Sequence, residues 1–376
     1  MALPPLPRAV LALLLLLAAL PAAAADIRLG WLAGAGDEGL DGLKQALADN
    51  NASGRFIGQS YSLEQAVIPA GGDVPTAVKT LADKGVRFVV ADLPAAALLR
   101  AADSAAAAGM LLINAGSADD SLREGECRRN LLHTRPSRAM LADALAQVLV
   151  RKRWTSWLML VGPEAEDRLY AAAIRRAAAK FGAKIVAETP WTYTRDAQRT
   201  AEGEAVALTQ RERYDVVVVA DEAGAFGDTV MFNTWDPRPV AGTQGLTASA
   251  WSPVFDQWGA TQMQNRFRAR AGRAPTERDF AAWAAGRAVA EAAMRAKSDD
   301  PARIKAMLAD PDFTMAVFKG RAASFRPWDG QLRQPILVGW ARAVVTTAPQ
   351  DGFMHPLTDL DTLGTDRGEK KCAARQ

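Results

Sequence analysis

The chain is 376 residues long, 49% hydrophobic and 23% charged, with 45 Lys and Arg against 42 Asp and Glu. That is enough apolar chain for two domains with full cores, and it excludes intrinsic disorder and coiled coil. A net charge of +3 lacks the basic surplus of a nucleic-acid binder, and two His with two Cys leave little for a metal cluster or a Cys–His or Ser–His catalytic pair.

The N-terminus reads as an address. Arg8 precedes an apolar run over residues 10–20, and Ala23, Ala24 and Ala25 offer the small residues that a signal peptidase needs. The run is too short to span a hydrocarbon core of ~30 Å, which takes about 20 residues. Residues 1–25 are therefore expected to be a signal peptide cleaved after Ala25, with the mature protein exported. Export favours a disulfide between Cys127 and Cys372, two free thiols being the alternative.

Strand and helix then alternate. Residues 27–32 read as a strand and 37–50 as a helix ended by Asp49-Asn50-Asn51 and Gly54. The helix 75–84 opens with Pro75 and stops at Gly85, the expected asymmetry of helix ends. Strand 86–91, helix 95–108 and strand 110–114 follow. After Pro136 the pattern restarts: helix 137–152, strand 156–161, helix 167–181, strand 184–188, helix 197–210 and strand 215–220. Strands this apolar, separated by helices, mean parallel sheets covered on both faces, so the fold class is α/β with two doubly wound lobes. In the later helices 261–271 and 277–295, Phe280, Trp283, Ala284, Arg287 and Ala288 recur at helical spacing, which marks a core stripe. Asp329-Gly330 within residues 326–331 signals a hairpin turn feeding strand 335–340. The last 25 residues are expected to wrap the surface.

Ligands of open parallel sheets bind beyond the carboxyl ends of the strands. The candidates there are Trp31, Asp37, Asp92, Asn114, Ser117, Glu166, Asp221 and Glu222. Asp37, Glu166 and Asp167 also suit helix capping. Gly34-Ala35-Gly36 lacks the third Gly of a dinucleotide fingerprint, and no nucleophile elbow or phosphate loop appears. No enzyme activity and no cofactor are expected. Asp359 to Gly364 begins like a calcium loop, but Leu363 and Lys370 occupy positions that need oxygen ligands, so an Asx-turn in a surface loop is the simpler reading.

Leu112-Ile113-Asn114-Ala115-Gly116-Ser117, followed by Arg135-Pro136-Ser137-Arg138-Ala139, resembles the periplasmic branched-chain amino-acid-binding proteins of ABC importers. A closer resemblance, to substrate-binding proteins found with PQQ-dependent alcohol oxidation systems, is carried by residues 260–267, Ala282-Trp283-Ala284-Ala285, residues 324–335 and Leu360-Asp361-Thr362-Leu363-Gly364. The resemblance implies a type I periplasmic binding protein: a periplasmic flytrap with three crossings between lobes. One lobe would take residues 26–134 plus 249–320, the other 135–248 plus 321–350, with 351–376 a tail. It implies a monomer serving an inner-membrane ABC permease and a PQQ-dependent dehydrogenase system; a sensor or partner-binding flytrap is the alternative.

By the same resemblance, the positions that grip an amino acid's carboxylate fall on Ala95 or Ala96 and on Gly116-Ser117-Ala118, and the ammonium-binding acid falls on Gln244. Losing the charged partner of a buried ammonium is costly, so an amino acid is a poor ligand here. Three readings stay open for the cleft: a cation, either an amine or a hard metal ion, among the acids; a planar or apolar ligand near Trp31, Trp191 and Trp251; or a contact surface for protein. The sharpest expectation is that Asp92, Asp221 and Glu222 face one another and repel until a cation lets the trap close.

Overall fold

Runs of Val, Leu and Ile too apolar to keep a wet face set the architecture of the computed structural model, which describes residues 25–36, 38–192, 200–211, 213–369 and 371–375. The expected signal segment lies, apart from Ala25, outside the described residues. Ala25–Ala33 (β1), Gln59–Val67 (β2), Phe88–Asp92 (β3), Leu111–Asn114 (β4) and Leu131–His133 (β5) form one sheet in the order β2-β1-β3-β4-β5, every pair parallel. Ser156–Val161 (β6), Lys184–Pro190 (β7), Val216–Ala220 (β8) and Val240–Gly242 (β9) form a second parallel sheet, β7-β6-β8-β9. All of β8 is buried, which requires helices on both faces. The α/β class with two parallel-sheet lobes is thus as the sequence led us to expect.

Thr247–Ser249 (β10), Met315–Ala316 (β11), Ala322–Phe325 (β12), Leu332–Arg333 (β13), Ile336–Trp340 (β14) and Ala343–Ala348 (β15) make two small antiparallel sheets, β10-β14-β15 and β11-β12-β13. The Asp329-Gly330 turn joins β12 to β13: Arg326 N–H donates to the Gln331 carbonyl at 2.9 Å, and Gly330 takes a φ of 71°.

Helix ends follow local chemistry. Ser137 accepts from the Met140 N–H and starts the helix Arg138–Arg151, while Thr276 and Asp279 form a capping box for Glu277–Ala296. This last helix carries the aromatic stripe into the first lobe's core, where Phe280 stacks on Trp251 with centroids 4.6 Å apart and Trp283 is buried beside it. It lies so close to Leu40–Gly54 that a Cβ on Gly42 would come within 1.9 Å of the Asp279 carbonyl oxygen. Only glycine fits there.

The chain passes between lobes after β5, after β10 and after β13. Lys319, almost fully buried, joins these places: its ammonium donates to the Ala250 carbonyl and Gln334 Oε1 at 2.7 Å and to the Pro335 carbonyl at 2.9 Å. The Gln334 amide reaches the Thr134 carbonyl at 2.8 Å.

Some expectations change. β2 has Ser60, Ser62, Glu64 and Gln65 along a sheet edge, where one side needs no apolar residues, and the sequence reading passed over it. Within residues 321–350, expected in the second lobe, Ala323, Leu332 and Leu337 pack in the first lobe's core, while Ile336, Val338 and Ala348 enter the second. The tail is not merely wrapped on the surface. Asp361 is fully buried and accepts from Arg326 Nε and Arg333 Nε, each at 2.8 Å, while Arg326 Nη2 donates to the Leu360 and Leu363 carbonyls. The calcium-like segment is therefore a buried ion-pair site and not an exposed loop. Farther along, the Gly364 N–H donates to Asp143 of the second lobe at 2.8 Å, and Cys372 is bonded to Cys127 of the first.

The disulfide closes a loop with a sequence separation of 245. Chain-entropy reasoning assigns such a loop up to ~5 kcal/mol of stabilisation. The Cys127→Ser/Cys372→Ser variant is expected to unfold at a clearly lower denaturant concentration than the wild type, and labelling of the denatured, unreduced wild type is expected to find no free thiol.

Candidate functional site

The carboxyl ends of both parallel sheets open on one cleft of about 1130 Å3. From the first lobe it receives Gly34 to Gly36 after β1, Asp92 to Ala96 after β3 and Gly116 to Asp119 after β4; from the second it receives Glu166 and Tyr170, then Asp221 and Glu222 after β8.

Asp92 ends β3 beneath Gly116, where an added Cβ would sit 2.2 Å from its Oδ1. Burial pushes the Asp92 carboxyl upward, opposed chiefly by Arg278, whose Nη1 donates to it at 3.0 Å. Glu222 is gripped by both arms of the Arg138 guanidinium, at 2.9 and 2.6 Å. Asp221, only 1% exposed, accepts the N–H groups of Ala225, Phe226 and Gly227 at 2.7 to 2.8 Å, so it organises the turn after β8. The expectation that these three acids repel one another across the cleft is therefore corrected: each is already compensated within its own lobe, Glu222 by a guanidinium fork, Asp92 by a single guanidinium nitrogen and Asp221 by backbone dipoles.

The other candidates divide in the same way. Trp31 does not reach the cleft: alternation along β1 turns Leu29, Trp31 and Ala33 into the first core, and Trp31 is 1% exposed. Trp191 and Trp251 are also core residues, Trp191 stacked on Phe226 at 4.3 Å. This removes the aromatic wall proposed for a planar ligand. Asn114, fully buried, accepts from the Gly116 and Ser117 N–H groups and donates to the Ser117 carbonyl, so it shapes the loop that carries Ser117 into the cleft. Gln244 lines the cleft, but its amide donates to the Asp221 carbonyl at 3.1 Å and accepts from Thr243 Oγ1 at 2.5 Å. Glu166 lines the cleft exposed and without a capping role; Asp167 is the capping residue, and it also holds the Glu222 N–H at 2.7 Å. Asp37 lies outside the described residues.

Arg135, Arg138, Glu277 and Arg278 also line the cleft and were not among the candidates. Arg135 pairs with Glu277 at 3.3 Å. Their partners are 84 to 186 residues away in sequence for Arg138 and Arg278 and 142 for Arg135, so no local pattern announces them. Among the described residues, no group of three or more His, Cys, Asp or Glu is arranged to hold a metal ion, and no helix is long and apolar enough to cross a membrane.

A family model described as periplasmic binding protein matches residues 22–343. The chain belongs to the periplasmic binding protein family. It is thus a solute-binding protein and not an enzyme. Solved structures with the same fold include a branched-chain amino-acid ABC transporter periplasmic ligand-binding protein from Burkholderia xenovorans, 17% identical, with a TM-score of 0.74 over 93% of this chain and 100% of that one. An amino-acid ABC transporter substrate-binding protein from Pseudomonas fluorescens is 14% identical, with a TM-score of 0.70 over 93% and 100%. A branched-chain amino-acid transporter substrate-binding protein from Streptococcus pneumoniae, in complex with isoleucine, is 18% identical, with a TM-score of 0.64 over 86% and 98%. No curated protein matches the sequence.

The end of β5 has a pH signature. Asn114 Nδ2 lies 3.1 Å from His133 Nδ1, and burial holds this imidazole well below its ordinary range, with Arg123 and Arg375 adding to the effect. The folded state keeps His133 neutral, while the unfolded chain takes up a proton below pH ~6.5. The His133 contribution is therefore complete above that pH and is lost as pH falls, at about 1.4 kcal/mol per unit. Denaturation midpoints are expected to drop between about pH 6.5 and 5, and the drop is expected to flatten in His133→Gln.

Proposed function

We propose that this periplasmic binding protein is the solute-binding component of an ABC importer, exported by its N-terminal 25 residues, and that it presents its closed form to an inner-membrane permease. The observation that carries this reading is the open cleft of about 1130 Å3, lined from both lobes, across which Asp92–Arg278 and Arg138–Glu222 each stay within one lobe. A ligand closes such a trap by its differential affinity for the closed state.

Amino acids are what the names of the structural relatives suggest as ligands. Ala95, Ala96 and Ala118 line the first wall without a hydroxyl, and Gln244 is held by its own neighbours; both features argue for another class. An anionic ligand held by Arg138 or Arg278 would have to draw it from its carboxylate, which costs the pair's charge-assisted hydrogen bonds. A small uncharged polar molecule, an alcohol or polyol, leaves those pairs intact and meets the Ser117 hydroxyl, which accepts from the Asp119 N–H and keeps its own proton to donate. This class suits a role beside PQQ-dependent alcohol oxidation. The segments that carry that resemblance, 324–335 and 360–364, are supported as one unit by the ion pair between Arg326 and Asp361.

Calorimetry and small-angle scattering against short alcohols, diols and polyols, with leucine, isoleucine and valine alongside, test the reading. At least one of the neutral compounds is expected to bind and compact the protein, and the three amino acids are expected to give no heat. Micromolar binding of any of those amino acids would overturn the ligand class. Unaltered growth of a gene-deletion strain on alcohols would sink the PQQ link.

A further inference from the structure

At the amino ends of β4 and β5, on the side of the first sheet away from the cleft, lies a second cavity of about 500 Å3. Its walls are apolar: Met110, Leu111, Leu132, Leu308 and Phe325. Four basic residues, Arg129, Lys305, Arg326 and Arg375, also line it; Arg326 is already paired with Asp361, which leaves the other three, and none of the residues lining the cavity is a carboxylate. Small-molecule sites typically enclose about 300–1,000 Å3 between mostly apolar walls with a few convergent polar groups, and this cavity fits that description.

The cations are placed at some cost. Lys305 bonds the Gly109 carbonyl, and its pKa is lowered first by burial and then by Arg87. Arg375 Nη2 donates to the Leu131 and Arg129 carbonyls at 2.7 and 3.1 Å, yet its Nε is buried without a partner. It lies against Gly330, where a Cβ would come within 2.8 Å of Nη2. Burial lowers the Arg375 pKa, with Asp329 opposing and Arg129 adding. Asp329, the nearby acid, is itself buried and accepts from the Gln331 N–H at 2.9 Å. The result is a set of like charges at an apolar cavity with an unsatisfied donor among them. Uncompensated buried charge is destabilising, and an anion with an apolar body would relieve it through charge-assisted hydrogen bonds while filling the walls.

We propose that this cavity is a second ligand site, distinct from the cleft, that binds an amphipathic monoanion: a carboxylate held among Arg129, Lys305 and Arg375, with an alkyl chain or ring against Met110, Leu132 and Leu308.

Calorimetry of the full mature chain with octanoate, octylamine, 1-octanol and acetate tests it. Octanoate is expected to bind, with the other three at least about tenfold weaker. The Arg129→Glu/Lys305→Glu variant reverses two cations outside the core, and Ala309→Trp adds a ring at an exposed lining position. Each is expected to weaken octanoate at least about tenfold while the unfolding midpoint stays near that of the wild type. Should the reversal variant fail to fold, Arg129→Gln/Lys305→Gln gives the same reading with a smaller loss. No octanoate binding up to about 1 mM, equal binding of octylamine, or octanoate binding unchanged in the folded variants overturns the proposal. That last outcome would place the octanoate elsewhere, for instance in the cleft.

Discussion

The Lys319 ammonium sits where the three inter-lobe connections meet, and the arrangement of the lobes depends on it. An ammonium has three donors, and here all of them are used, on Ala250, Gln334 and Pro335. The Phe280 ring, 4.3 Å from Nζ, adds a cation–π contact. Burial pushes the Lys319 pKa far down, with Glu277 the opposing influence, so the group is held by geometry in a place where a free lysine would not go. Because Gln334 passes the link on to Thr134, segments distant in sequence share one anchor.

Local pairing decides the electrostatics of the cleft. Seven carboxylates line it with three arginines, and on composition alone mutual repulsion would be expected to dominate. It does not, because the acids at the strand ends find donors at hydrogen-bond distance in their own lobe, and contact geometry outweighs the weaker repulsion between groups that face a wet opening. Asp221 illustrates the limit of the argument: with three backbone N–H groups on its two oxygens, it is part of the scaffold although it touches the cavity.

What was legible in the sequence was whatever depends on neighbours in the chain. The buried strands β3, β4, β6 and β8, the capped helices, the Phe280–Trp283 stripe and the Asp329-Gly330 turn all rest on local pattern, and the disulfide followed from compartment and cysteine count. The edge strand β2 was missed because its polar side is solvated. The direction in which Trp31 points was misjudged because the reading put the end of β1 at the residue beside it, while pairing with β2 and β3 carries the strand to Ala33. The three cleft arginines leave no local signal because each meets its acid only after the chain has folded back from far away, and a strand-end position such as Asn114 does not tell whether its side chain faces the opening or the loop above it.

The tail has a consequence for covalent topology. All three crossings, near residues 134–137, 249–251 and 334–336, lie between Cys127 and Cys372. The second lobe is thus enclosed within a covalent ring whose closing bond belongs to the first lobe and the tail. A protease that cuts any one crossing leaves two fragments that stay linked, so in an oxidising compartment a nicked molecule keeps both walls of its cleft, and only reduction releases them.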